Sequence, residues 1–235
     1  MHDAGEGDSG RIQTTEKLER STTSADVARV LRRRILEGRY GEEQFIRQDV
    51  IATELGVSRI PVREALAQLE SEGLVIREKY RGAIVPKLSL SEIEEIYELR
   101  GMIEPYLLAH AISNITPRQV RQLREIITRS MATDLVADWA GLNVDFHRKL
   151  YEVAGKPLTL QVLDNLLIRA DRYLKLQNFN SLATKNESDA EHARILDLVE
   201  KRDVKAATAA LRTHIRWNAE DVRQSIAPGR ATKTG

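Results

Sequence analysis

Three of the five histidines, His147, His192 and His214, fall on the apolar stripes of three separate helix-forming segments. His147 lines up with Leu150, Tyr151 and Ala154, and His192 with Ile195, Leu196 and Val199. His214 follows Ala207 and Leu211 on a stripe that continues to Asn218. Asn143 stands one turn before His147, so its amide oxygen faces the same side. Neutral imidazole nitrogens with one oxygen donor make a ligand set suited to zinc, nickel or manganese, with remaining positions open to water or a small molecule. The ordinary alternative is a set of hydrogen-bonded core histidines, because spacing alone does not bring three helices to one point.

A second constellation lies in QDVIATELGVSRIPVREALAQLESEG, residues 48–73. Ile51, Ala52 and Leu55 recur at helical spacing, and Gly56 ends that short helix. Val57 is the apolar residue of a tight turn, Ser58 can N-cap the next helix, and Pro61 falls in its first turn, where a missing N–H costs little. Val62, Ala65, Leu66 and Leu69 pack this second helix down, so Arg59 and Arg63 project together from another face near its start. Such a helix suits insertion into a DNA major groove. Upstream, Val27, Val30, Leu31 and Ile35 mark another amphipathic helix. Its outer Arg29, Arg32, Arg33 and Arg34 are divided between phosphate contact and plain solvation.

The segment ELGVSRIPVREALAQLESEGLV, followed by VIREKYRGAIVP, resembles the DNA-binding signature of the GntR family of bacterial transcription regulators, including its β-hairpin wing. The resemblance implies that Arg59 and Arg63 read base edges or adjoining phosphates of double-stranded operator DNA. It also implies that Ser58 touches the backbone and that Arg81 and Gly82, near the wing tip, approach the minor groove. Lys79 of the same wing is assigned to phosphate. Some relatives carry a basic residue where this chain has Asp49, so that contact does not carry over. NVDFHRKLYEVAGKP and EHARILDLVEKRDVKAATAALRTHI are similar to the FCD ligand-binding domain of the FadR-type branch, in its smaller VanR-like form. Many members bind a metal there through an Asp or Asn and three His, which implies that Asn143, His147, His192 and His214 converge. Asn143 stands where relatives often have Asp, and a neutral donor lowers the charge of the site.

Composition sets the outer limits. The 235 residues hold 36 Lys and Arg against 35 Asp and Glu, so the net charge of +1 gives no bulk attraction to nucleic acid. Residues 24–87 carry 12 basic and 10 acidic side chains, so DNA binding rests on where the arginines stand. The absence of cysteine excludes disulfides and thiolate metal sites. No apolar run approaches the ~20 residues that span a bilayer, and the acidic, Gly-rich start is unlike a signal peptide. A cytoplasmic protein with no membrane partner is expected.

The elements that must position these residues follow from their caps. Pro86 ends the wing, and Ser91 with Glu94 reads as a capping box for a helix from about 91 to 113. Thr116-Pro117 opens the next, 134–154 forms a third, and Pro157 opens a fourth running to about 179. Ser188 with Glu191 caps a fifth, and Asp203 a sixth that ends before Pro228. The expected fold is mainly α, an N-terminal winged helix-turn-helix at 23–88 and a C-terminal all-α six-helix bundle at 89–226. A mobile arm, 1–22, precedes them and a tail, 227–235, follows.

Arg100, one turn before Glu104, offers a planar fork to an effector carboxylate, or equally forms an i,i+4 ion pair. Arg169 and Tyr173 are further candidates for effector binding, and Asn218 for the wall beside His214. Together these features describe a homodimeric DNA-binding transcription regulator, not an enzyme, whose operator binding responds to a small carboxylic-acid effector at a divalent metal. A metal-dependent hydrolase fused to a DNA-targeting module is the rival. Against it, no acidic residue stands beside a histidine in an HExxH-like pattern. A purely structural metal is the other alternative.

Overall fold

The structure is a computed structural model that describes residues 23–78, 82–87, 89–176 and 182–226. The expected arm, the tail, and the wing-tip residues Lys79 and Arg81 lie outside the described residues. Nine helices and one small sheet occur among the described residues.

The N-terminal half opens with α1 (Ser24–Leu36), capped by Thr23 in a reciprocal box with Asp26. After β1 (Phe45–Arg47) come α2 (Gln48–Leu55) and α3 (Arg59–Ser71). Gly56 takes the left-handed conformation, φ 64°, that turns the chain between them. The strands β2 (Ile76–Glu78) and β3 (Gly82–Ile84) form the wing, and the sheet runs β1-β3-β2, all antiparallel. Arg47 and Glu78 flank Gly82 from either side. A Cβ on Gly82 would lie 2.0 Å from the Ile46 carbonyl oxygen, so only glycine lets β1 close on the wing. Val27, Leu31 and Ile35 of α1 meet Val62, Leu66 and Leu69 of α3 in one core.

The C-terminal half is six helices: α4 (Leu90–Asn114), α5 (Pro117–Ala132), α6 (Val136–Tyr151), α7 (Pro157–Leu176), α8 (Leu182–Glu200) and α9 (Val204–Ile226). Their apolar faces close on a core that includes Leu107, Leu123, Trp139, Leu150, Leu167, Leu196 and Leu211. α4 contains Pro105, which removes the N–H that would bond the Gly101 carbonyl. Arg212 of α9 fills that gap, donating to Gly101 O at 3.0 Å.

Two caps differ from expectation. The N-cap of α4 is Ser89 rather than Ser91, because Tyr173 fixes the Ser89 backbone while the Ser89 hydroxyl accepts from Glu92 N. α8 begins at Leu182, so Ser188 is a buried interior residue and not a cap. Lys185 and Asp189 form a buried i,i+4 pair in the added turns, and Asp189 also accepts from Ser130 and Trp139. Those tertiary partners keep the segment helical upstream of the apparent cap.

The two halves share α7. Its Ile168 is buried in the core of the N-terminal half. Arg172 donates to the Pro86 carbonyl, and Arg169 pairs with Glu92 at 3.0 Å while its guanidinium covers Gly73.

Candidate metal centre and nucleic-acid interface

α6, α8 and α9 each deliver one histidine to the interior, because each apolar stripe faces the same core. Side-chain nitrogens of His147, His192 and His214 all lie within 4.8 Å of one another, and all three residues are buried. Nε2 of His192 is 3.1 Å from Nε2 of His214, and Phe146 stacks on the His192 ring. Nε2 of His147 is buried and has no hydrogen-bond partner. Burial depresses the His147 pKa below the usual imidazole range despite the neighbouring Glu104, and it depresses His192 further, assisted by the other histidines. Clustered, buried imidazoles, one with a ring nitrogen that has no hydrogen-bond partner, fit a borderline divalent cation such as zinc or nickel.

Each of two histidines is gripped from behind. Nδ1 of His147 is 2.8 Å from Glu104 Oε2, and Nδ1 of His214 is 2.7 Å from Glu191 Oε2. Glu104 is fully buried on α4, where it also accepts from Arg100 Nε at 2.6 Å and Tyr151 Oη at 2.7 Å. Burial alone would raise the Glu104 pKa, but Arg100, His147 and the Tyr151 hydroxyl together hold it below the carboxylate range. Burial and the same carboxylate push the Tyr151 hydroxyl well above its ordinary value.

The other expected site residues separate into two groups. Asn143 is buried one turn before His147, and Asn218 is buried beside His214, its Nδ2 3.1 Å from Nε2. Arg100 is buried and engaged by Glu104, the ion-pair alternative given above. Arg169 and Tyr173 stand away from the histidines, at the junction with the N-terminal half, because their face of α7 turns toward the linker. Trp217 lines an outer groove with Tyr97 and Arg216. Asp145, two residues before His147, is exposed. Sequence reasoning missed the contacts of Glu104, Tyr151 and Glu191 with the histidines. Tyr151, four residues after His147, was the available signal.

The second surface is built by α3 and the wing. Ser58 holds the N-cap position of α3, but its hydroxyl makes no capping bond and is exposed. Arg59 and Arg63 are exposed on the first turns. Arg29, Arg32, Arg33 and Arg34 pair with Asp26, Glu72, Glu37 and Glu54, and Arg47 pairs with Asp49. No ion pair involves Arg59 or Arg63 among the described residues. The arginine face of α1 is therefore held by internal partners, whereas Arg59 and Arg63 of α3 are exposed. Arg59 and Arg47 line one groove of about 660 Å³ that reaches Glu78 and Ile84 of the wing.

Comparison with known proteins agrees with this division. Residues 23–85 match the bacterial regulatory proteins of the gntR family, and residues 95–216 match the FCD domain. The chain is 27% identical over 201 residues to the HTH-type transcriptional repressor RspR of Escherichia coli strain K12, covering 84% of this chain and 88% of that one. It is 29% identical over 183 residues to the gluconate operon transcriptional repressor of Bacillus subtilis strain 168, covering 77% and 74%. Among solved structures, E. coli McbR/YncC superposes with a TM-score of 0.74 at 20% identity, covering 86% of this chain and 97% of that one, which speaks for the fold alone. A GntR family member from Pseudomonas syringae pv. tomato DC3000 gives 0.53 at 27% identity, covering 86% and 85%. These families and relatives are transcription regulators and not enzymes. The chain belongs to the GntR family of DNA-binding transcription regulators, with a winged helix-turn-helix joined to an FCD domain.

Proposed function

We propose that operator binding by this chain is modulated by a small organic acid taken up at a divalent metal in the helical half. The observation that carries this reading is the cluster of three buried histidines in which His147 Nε2 has no partner. Asn143, His147, His192 and His214 would hold the ion, with Asn218 at the edge. When bound, the ion supplies a Lewis-acidic anchor for a carboxylate. Zinc suits the nitrogen-rich set best, with nickel next and manganese less so. One relative is named for the gluconate operon, a sugar-acid name in keeping with an acidic effector.

On the DNA side, Arg59 and Arg63 read base edges or adjoining phosphates from the major groove, and Ser58 contacts the backbone. Gly82 brings the wing, with Lys79 and Arg81, to the neighbouring backbone or minor groove. The protein acts as a homodimer on a two-fold operator, since one such head reads too few base pairs for useful specificity. Leu99, Met102 and Tyr106, exposed along one side of α4, support a self-association surface there. The effector alters the spacing of the two heads through the junction that Arg169, Arg172 and Tyr173 form with the linker.

The test is calorimetric. Purified protein should carry about one divalent ion per chain, lost on His192→Ala. An acid that binds the loaded protein should change operator affinity by the same factor by which operator changes acid affinity. Equal binding of the acid to chelator-stripped protein would show the metal to be structural and the signal to enter elsewhere.

A further inference from the structure

We infer that Glu104 and Glu191 are positioning residues for the metal centre, each holding the Nδ1–H of its histidine so that the Nε2 lone pair faces inward. This rests on the metal reading above but adds residues to it that no ligand set includes.

The geometry argues for one tautomer at each site. A carboxylate can only accept, so a neutral imidazole whose Nδ1 lies 2.8 Å from Glu104 or 2.7 Å from Glu191 carries its proton there. Nε2 then keeps a lone pair. At His214 the Glu191 contact carries the assignment, since Asn218 Nδ2 lies near both ring nitrogens, 3.1 Å from Nε2 and 3.4 Å from Nδ1. At His147 it accounts for an Nε2 that is buried without a hydrogen-bond partner. The carboxylates are themselves fixed to different degrees. Glu104 is clamped by Arg100 and Tyr151 in the core, whereas Glu191 stands at the partly exposed end of its contact. His192 has no such carboxylate contact among the described residues; its ring is instead held by Phe146. A carboxylate behind an imidazole raises its basicity and fixes its orientation, and losing one costs about 10- to 100-fold in metal affinity.

The experiment uses the full chain and cobalt(II) alone as the probe, titrated against a competing chelator and read by its visible absorption. Glu191→Gln keeps an acceptor oxygen but not the charge, and Glu191→Ala keeps neither. Cobalt affinity should fall in that order, with the alanine variant about 10- to 100-fold below the unsubstituted protein and the melting temperature of the metal-free protein unchanged. Glu104→Gln should weaken binding comparably. Because it also disturbs the buried Arg100, the Glu191 series is decisive if that variant does not fold. Long-range proton–nitrogen spectra of the metal-free protein should show His147 and His214 protonated at Nδ1. Cobalt binding at full strength in both Glu191 variants, or protonation at Nε2 in both rings, would overturn the assignment. Failure of the unsubstituted protein to bind cobalt would instead remove the metal reading, and the nitrogen spectra would still decide the role of the carboxylates.

Discussion

Tyr173→Phe removes a single oxygen from the junction between the two halves. That oxygen lies 3.1 Å from the Ser89 amide, 3.0 Å from the Ser89 carbonyl and 2.9 Å from Glu92 Oε2. A hydroxyl has one proton, so it accepts from the amide and donates to either the carbonyl or the carboxylate. A neutral bond is worth ~0.5–1.5 kcal/mol net and one to a charged group ~1.5–3 kcal/mol. Glu92 is partly hydrated, which places the sum near the low end, at about 2 kcal/mol. The loss falls on the first turn of α4 and the linker before it, not on the core. Hydrogen exchange at residues 86–93 should therefore accelerate roughly 30-fold, while the core of the helical half exchanges as before. Burial and Glu92 raise the Tyr173 pKa to about 12, so the hydroxyl remains protonated and the difference is constant from pH 5 to 9. The contribution is complete below the unfolded tyrosine value near 10 and is lost as pH rises through about 12. If the junction also carries the effector signal, the factor linking acid and operator affinity should fall toward one while each affinity alone is retained. Exchange within threefold of the unsubstituted protein would refute the reasoning and leave Ile168 and Arg172 as what fixes the linker.

Two further outcomes test the DNA-binding half. Arg63→Ala should cost ~1–3 kcal/mol of operator discrimination and relax base preference, read by gel shift against operator and scrambled duplexes; unchanged discrimination would remove its base-reading role. Gly82→Ala forces a Cβ against the Ile46 carbonyl from a glycine-favouring φ of 153°, and should destabilise the wing by ~2–4 kcal/mol in urea. It should lower operator affinity while leaving metal uptake intact.

What was legible in the sequence was local. Gly56, Pro61 and the Arg59–Arg63 spacing specify the paired helices within a few residues, and α2 and α3 follow that pattern. Ser89 and Ser91 both satisfy the rule for an N-cap, and the choice between them belongs to Tyr173, more than 80 residues away. Ser188 and Glu191 form a plausible cap on local grounds, but Ser130 and Trp139 hold Asp189 inside a longer helix. The histidine cluster divides in the same way. The three histidines stand out by lying on apolar stripes, whereas each supporting residue already had a sufficient local role. Glu104 reads as the partner of Arg100, Tyr151 as part of a stripe, and Glu191 as a capping residue. Their second contacts exist only once the helices are packed.

That packing makes α4 the element that spans both ends of the proposed signal. Glu92, one turn into it, is held at the linker by Arg169 and Tyr173, and Glu104, twelve residues on, is held at His147. At 1.5 Å per residue the two carboxylates are separated by about 18 Å of helix. A straight helix passes a displacement at one end to the other, but Pro105 interrupts the ladder at the Gly101 carbonyl, inside that span. Arg212 bonds this carbonyl from α9, the helix that also carries His214. The weak point of α4 is thus braced by the helix that supplies one of the three clustered histidines. A shift of α9 on effector uptake would reach the linker through two attachments to α4, at Gly101 and through the histidine cluster to Glu104.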